Sequence, residues 1–284
     1  MTADAAITLE VGTTPVPTSY YRRLPGGIYE PTVHVQGAWN ESEQHMGPVS
    51  GLIVHAVEEH EPRDDLQLAR VTFEILGVIP REPTEVTVTT IRPGRTIELV
   101  EAVLVAGGRP AVRAHAWRMA YGDTATVAGG APGRLPAPET WERWDSDSIW
   151  PGGGGYIGSL EGWRDPASRP GRGRVWLRTD IDLVEKTSTS PTAAFVGLVD
   201  TANGILVRED PEAWIFPNID LSLHLFRRPV GEWVGFDTTV VFGGQGVGLT
   251  TSWLFDKEGA VGRAEQILTI RRRPTRGLTG ALAG

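Results

Sequence analysis

The order of elements constrains this chain most, because it occurs twice. A helix-period segment at 47–60 (GPVSGLIVHAVEEH) places Val49, Leu52, Ile53, Ala56 and Val57 on one face. Four strand-like runs follow. The run 68–75 alternates through Val71, Phe73 and Ile75; 86–91 stops at Arg92-Pro93-Gly94; 96–105 ends in the hairpin signal Ala106-Gly107-Gly108; and 111–121 returns from it. After a second helix the order recurs. The run 214–226 puts Ile219, Leu221, Leu223 and Leu225 on one face, with Asn218, Asp220, Ser222 and His224 on the other, and stops at Arg227-Arg228-Pro229. Then come 233–242 with its GGQGVG turn, 249–255 with the turn 256–259, and a closing run at 261–272. This predicts an α+β protein of two tandem units, each a curved antiparallel sheet wrapped around one buried helix.

Between the copies, 123–173 is dense in Gly, Pro and Trp and follows neither period, so it reads as a long connection. Loops of this length are usually functional or wrapped over the surface, and Trp141, Trp144 and Trp150 suit such packing. A strand-like run at 174–183 then leads into the second helix. The expected units are 18–122 and 156–284, joined by a linker at 123–155.

Size and charge narrow the function. A chain of 284 residues can bury sizeable cores without disulfides or metal. A formal net charge of -8 argues against a nucleic-acid or anionic-membrane surface. The absence of cysteine excludes thiolate catalysis, disulfides and Cys-ligated zinc. No apolar run reaches membrane-span length, so membrane insertion is not expected. The start MTADAAITLE lacks a signal peptide's basic and apolar regions, and the expected location is the cytoplasm.

Against this background one carboxylate stands out. Between Lys186 and Arg208 the chain reads TSTSPTAAFVGLVDTANGILV, and Asp200 is its only charge. Ser190-Pro191 supplies a cap and a first-turn proline, so a helix begins there. Its body is apolar on every side, the mark of a buried helix. A buried carboxylate needs a partner or a proton. Asp200 is therefore either a structural group meeting a loop or an arginine, or an active-site acid, since perturbed acids cluster at such sites.

Other motifs carry less. GGGG at 152–155 lacks the Lys-Ser/Thr of a phosphate loop, and GGQGVG at 243–248 does not match a dinucleotide fingerprint. There is no G-x-S-x-G elbow. His55, Glu58, Glu59 and His60 do not match a metalloprotease spacing, so a solvated helix face is the simpler reading and no metal is expected. Arg271, Arg272 and Arg273 suit an edge-strand guard or a phosphate contact.

Two amides join Asp200 as polar groups in apolar surroundings. Asn218 begins an alternating strand and can face the helix. Gln266 lies on the face of the last strand shared with Ala264, Leu268 and Ile270. A carboxylate with two neutral hydrogen-bonding groups can hold a water, take its proton and aim it at a carbonyl, with no nucleophilic Ser or Cys. Read singly, Gln266 is more simply a sheet-edge amide satisfying backbone.

The two-copy plan, the helix ending LVDTANGI, the strand NIDLSLHLFRRP, the last strand AEQILTIRRR and the re-entry GGYIGSLEGW together resemble the double-hotdog acyl-CoA thioesterases of the TesB type (acyl-CoA thioesterase II), over about residues 20–274. The resemblance implies two tandem hotdog domains whose sheets join as a pseudo-dimer, with further self-association unremarkable. It implies an acyl-CoA substrate, no cofactor, and a hydrolytic water held by an Asp on the second hotdog helix, a Thr or Ser on the following strand and a Gln on the last strand. By position these fall on Asp200, Asn218 and Gln266.

The chain departs from that pattern twice. Asn218 stands where a hydroxyl is usual, and an amide brings both a donor and an acceptor; Ser222, further along the same face, substitutes if the register differs. Pro48 opens the first helix, where a backbone N–H would polarise the thioester carbonyl. Proline has no N–H, leaving Gly47 or Val49 as donors. Arg227, Arg228, Arg271 and Arg272 are candidates for the CoA phosphates. Val175, Leu177 and the Trp-rich linker are candidates to line or lid an acyl tunnel. The alternative to an enzyme is an acyl-CoA or acyl-chain binding hotdog protein without turnover. A hotdog dehydratase has less support, since the second helix carries no histidine.

Overall fold

The computed structural model describes residues 16–151 and 154–274. Gly152 and Gly153 of the GGGG stretch, the segment MTADAAITLE and the last ten residues of the 156–284 unit lie outside them.

The first half comprises β1 (Ser19–Leu24), β2 (Ile28–Pro31), α1 (Met46–Glu59), β3 (Leu66–Ile75), β4 (Thr84–Arg92), β5 (Ile97–Ala106) and β6 (Arg109–Ala120). The second comprises β7 (Glu142–Arg143), α2 (Gly155–Gly158), β8 (Leu160–Arg164), β9 (Arg172–Thr179), β10 (Asp182–Val184), α3 (Pro191–Val199), α4 (Ala202–Ile205), β11 (Trp214–Ile215), β12 (Asp220–Leu225), β13 (Val234–Phe242), β14 (Val247–Asp256), β15 (Gly259–Thr269) and β16 (Arg271–Arg272). Fourteen strands form one sheet in the order β10-β1-β2-β4-β5-β6-β3-β12-β15-β14-β13-β9-β8-β7, with β3 and β12 joining the halves antiparallel through Thr72↔Ser222. These are two hotdog units fused edge to edge.

The local chemistry accounts for the helices. Ser190 Oγ accepts the Ala193 N–H at 3.0 Å and Pro191 fills the first helical position, so α3 starts where its caps require. Val196, Val199, Leu52 and Ile53 are fully buried where the two helices enter the common core. The helices cross on small residues. A Cβ on Gly47 would lie 2.9 Å from the Gly197 carbonyl oxygen, and one on Gly51 would lie 3.1 Å from that of Ala193. Only glycine allows this approach of backbones.

Several expected boundaries move. The connection around 123–173 is not all irregular: β8 and β9 form a hairpin that extends the second half of the large sheet, and β1 and β2 precede α1. The expected strand 174–183 divides, and β10 crosses to pair in parallel with β1 of the first half. The expected strand 214–226 also divides. Pro217 offers no ladder N–H, so β11 turns away to pair with β16 and β12 starts only at Asp220. Trp144 and Trp150 are buried, and Trp141 packs with Trp176 and Trp233, so the Trp-rich stretch is anchored. Val175 and Leu177 are fully buried in the main core. GGQGVG is the β13–β14 turn.

Candidate active site

Asp200 sits at the C-cap of α3, not in its interior. The Thr201 hydroxyl bonds back to the Leu198 carbonyl, and the helix resumes as α4. This break swings the carboxylate under the ends of β12 and β15. Asp200 is 3 % exposed and Gln266 is 1 % exposed. Asn218 Nδ2 donates to Asp200 Oδ1 at 2.8 Å and to the Asp220 carbonyl at 2.9 Å. Gln266 Nε2 donates to Asp200 Oδ1 at 3.1 Å and to the Asp200 carbonyl at 3.2 Å. The three residues singled out from the sequence therefore meet at one oxygen. Gln266 Oε1 is buried with no hydrogen-bond partner, which leaves a free acceptor beside the carboxylate.

Asn218, rather than Ser222, reaches the carboxylate. Asn218 sits at an isolated bridge to Leu268, while Ser222 lies mid-ladder between Glu265 and Thr72. Burial pushes the Asp200 carboxyl up to about 6, and the two amide donations oppose that rise.

The other carboxylate oxygen, Oδ2, faces a residue the sequence reading passed over. His45 Nδ1 stands 3.3 Å from it. His45 is the N-cap of α1: its Nδ1 accepts the Gly47 N–H at 3.0 Å, and its own N–H goes to the Val35 carbonyl at 2.7 Å. Tyr156 of α2 lies against the imidazole, with ring centroids 4.3 Å apart, and donates its hydroxyl to the Gly197 carbonyl at 2.7 Å. Burial pulls His45 down to about 3, so the contact with Asp200 joins a neutral ring to the acid and is not an ion pair. A helix start placed one residue earlier would have exposed His45 as a cap; nothing local links it to Asp200.

The expected backbone donors separate. In a helix beginning at Met46 the Val49 N–H is the first with a helical acceptor, the His45 carbonyl. Val49 is thus withdrawn as a free donor, and Pro48 has no N–H. Gly47 keeps an N–H outside the helical ladder, shared with His45 Nδ1. A Cβ on Gly47 would lie 2.6 Å from Tyr156 Cζ, so the tyrosine covers this turn closely.

Of the four candidate arginines, Arg227 is committed elsewhere. It grips Asp256 through Nη1 at 2.6 Å and Nη2 at 2.5 Å, and it also bonds the Gly259 and Ala260 carbonyls. Arg228 lines a cavity beside Glu58, whose carboxylate accepts the Ser190 hydroxyl at 2.5 Å. Arg271 and Arg272 lie on β16, and Arg272 stacks over Trp214. Two cavities lie outside the site, and neither is lined by Asp200, Asn218, Gln266 or Gly47. One of about 460 Å³ is lined by Gln36, Trp39, Trp150, Pro211 and Arg273. Trp39 packs on Phe216, and Trp150 Nε1 donates to the Gly204 carbonyl. The other, about 330 Å³ and mainly apolar, is lined by Tyr20, Pro48, Leu183, Ala193, Gly197 and Leu198. His55 Nε2 lies 3.4 Å from Glu59, and the described residues contain no cluster suited to a metal ion.

Strand register shows why the chain builds this site once. Pairs in the first half recur 150 residues later: Ala106↔Arg109 as Asp256↔Gly259, Val88↔Ala102 as Thr238↔Ser252, and Leu68↔Arg118 as Asn218↔Leu268. Leu68 therefore takes the place of Asn218, and Ala116 that of Gln266. The symmetric crossing of Gly47 and Gly51 on Gly197 and Ala193 puts Val54 where α3 has Asp200. All three replacements are apolar and buried.

Comparison with known proteins agrees with this architecture. Residues 127–270 match the model of the acyl-CoA thioesterase C-terminal domain, and residues 35–119 that of the acyl-CoA thioesterase N-terminal domain. No curated protein matches. The fold is similar to that of acyl-CoA thioesterase II TesB2 from Mycobacterium marinum, with TM-score 0.62 and 16% identity over 92% of this chain and 97% of that one. It is also similar to a hot dog fold protein of unknown function from Alicyclobacillus acidocaldarius, with TM-score 0.69 and 13% identity over 89% and 96%. The tesB protein of Mycobacterium avium subs paratuberculosis aligns with TM-score 0.58 and 15% identity over 82% and 89%. With both halves of the double hotdog accounted for, the chain belongs to the acyl-CoA thioesterase family.

Proposed function

We propose that the protein hydrolyses an acyl-CoA to free acid and CoA, with Asp200 activating the water. The supporting observation is the division of labour at the carboxylate. Oδ1 is held by Asn218 and Gln266, while Oδ2 and the orphaned Gln266 Oε1 remain as acceptors for the two protons of one water. The water oxygen attacks the thioester carbon and its proton passes to Asp200. The oxyanion is met by the Gly47 N–H at the positive end of α1. Collapse expels the CoA thiolate, which takes the proton from Asp200. A carboxyl near 6 suits this exchange, because it is ionised at neutral pH yet basic enough to accept the proton.

The apolar cavity beside Pro48 and Gly197 is the candidate for the acyl chain, and the larger cavity, which carries Arg273 together with Glu41 and Glu212, is the candidate for the CoA arm. No helix among the described residues is long and apolar enough to cross a membrane. A second reading is binding without turnover. It is favoured by the burial of Asp200 and Gln266 and by the close cover of Tyr156 on Gly47.

The test is free-thiol release from acyl-CoAs of C2 to C18, plus branched and aromatic acyl groups, by wild type and Asp200→Ala. Turnover that falls about 10²-fold or more in the variant supports hydrolysis. Saturable acyl-CoA binding with no turnover on any thioester leaves the binding reading standing.

A further inference from the structure

His45 lies between the two halves of the proposed machinery. Its Nδ1 is 3.3 Å from Asp200 Oδ2 and 3.0 Å from the Gly47 nitrogen, so a single ring atom touches both the base and the oxyanion donor. Imidazole Nδ1 carries either a hydrogen or a lone pair. With the lone pair it accepts from Gly47, but it then opposes an ionised Asp200 lone pair to lone pair. With the hydrogen it donates to Oδ2 and can no longer accept from Gly47.

We propose that His45 is a positioning residue whose tautomer couples the charge on Asp200 to the availability of the Gly47 N–H. While Asp200 is neutral, its O–H points at Nδ1, the ring carries Nε2–H, and Gly47 is shared with the ring. When Asp200 loses its proton, the ring takes the Nδ1–H form and donates to Oδ2. It thereby orients the oxygen that receives the water proton, and it releases the Gly47 N–H to the thioester oxygen. The base and the oxyanion donor become competent together. One proton leaves the pair in this change; during turnover the water proton passes to Asp200 and on to the thiolate, and His45 keeps its own.

The surroundings isolate this event. Tyr156 faces the ring from α2, and Tyr20 of β1 packs against Tyr156; burial holds the Tyr156 hydroxyl far above its ordinary value and pushes that of Tyr20 up to about 12. Asp220, which opens β12 two residues after Asn218, is engaged by the Ile267 N–H. The direct partners of Asp200 on β15 and before β12 are neutral amides. Stacking on Tyr156 and the bond from His45 N–H to Val35 hold the ring in place, so a change of tautomer needs no movement of the backbone.

This inference rests on Asp200 as base, and its test is chosen to fail separately. The first measurement is the ¹⁵N spectrum of ring-labelled protein across pH 4.5–8.5, in wild type and Asp200→Asn. The expected result is Nε2–H at low pH, Nδ1–H above the Asp200 transition, and Nε2–H throughout in Asp200→Asn, whose amide donates to Nδ1 at every pH. A wild-type ring that stays Nε2–H across the range overturns the proposal. The second is the kinetics of His45→Asn, which retains a capping acceptor for Gly47 but cannot switch. A kcat lowered about tenfold to a hundredfold with KM little changed is expected; an unchanged kcat overturns the coupling. Loss of activity in Asp200→Ala alongside a constant tautomer removes this inference alone. A switching tautomer in a protein that cleaves no thioester removes the proposed function and keeps the coupling.

Discussion

Asn218 Nδ2 donates to Asp200 Oδ1 at 2.8 Å. The amide bonds the Asp220 carbonyl with the same nitrogen, so its direction is set by backbone and it cannot turn away as a hydroxyl can. Its donation favours the charged carboxylate and offsets part of the burial that raises it. Asn218→Ala removes that support. The acid limb of the pH–rate profile is then expected to move up from near 6 by about one unit, as loss of a hydrogen bond to a charge implies. From this shift kcat/KM is expected to fall by about twofold at pH 7 and by about tenfold at pH 5. A profile over pH 5–9 checks both, and an unmoved limb would remove Asn218 from the site.

The carboxylate also carries a cost in folding. Its folded value, about 6, lies above its unfolded value, so the folded state holds the proton more tightly. The associated stability is fully present below about pH 4 and is lost as pH rises through about 6. At pH 8 the ionised group therefore costs the fold up to about 3 kcal/mol. Asp200→Asn is expected to be inactive yet more stable than wild type at pH 8, with the gap closing toward pH 4. Urea unfolding at the two pH values measures it; a variant less stable at pH 8 contradicts the assignment.

Gly47 tests the close approach of α1, α3 and Tyr156. A methyl group there meets Tyr156 Cζ at 2.6 Å and Gly197 O at 2.9 Å, and the latter is backbone. Gly47→Ala is expected to destabilise by about 1–3 kcal/mol, the range for overpacking, and to lower kcat by displacing His45 and Tyr156. Thermal unfolding and single-turnover kinetics report the two effects. Gly231→Ala has no neighbour within 4 Å and is instead strained by its φ of +72°, so it serves as a control for strain without crowding.

Val54 tests the vacated half. A carboxylate there lies opposite Leu68 and Ala116 rather than two amides, with no partner in place. Val54→Asp is expected to cost about 3 kcal/mol or more and to add no activity to an Asp200→Ala background. Equilibrium unfolding and thiol release check it. Any recovered turnover would mean that the first half keeps a competent site.

The sequence by itself determined the repeated helix-and-meander plan, the cap and proline that start α3, and the three polar residues that stand out from apolar surroundings. Those features are local: helical and strand periods, turn residues and a lone charge are written in adjacent positions. The inward face of Gln266 followed from alternation alone. Tertiary structure decided the rest. Asn218 turns to Asp200 because Pro217 ends one ladder before β12 begins another, so period-two alternation no longer governs its direction. β10 parted from β9 and paired with β1 at the open edge of the other half. Arg227 became structural once Asp256 and two carbonyls met its guanidinium. His45 stayed invisible because its partner lies on the other helix, brought within 3.3 Å only where glycines let α1 and α3 cross. Contacts between elements far apart in the chain depend on how the faces pack, and no local pattern records which two polar atoms that packing will bring together.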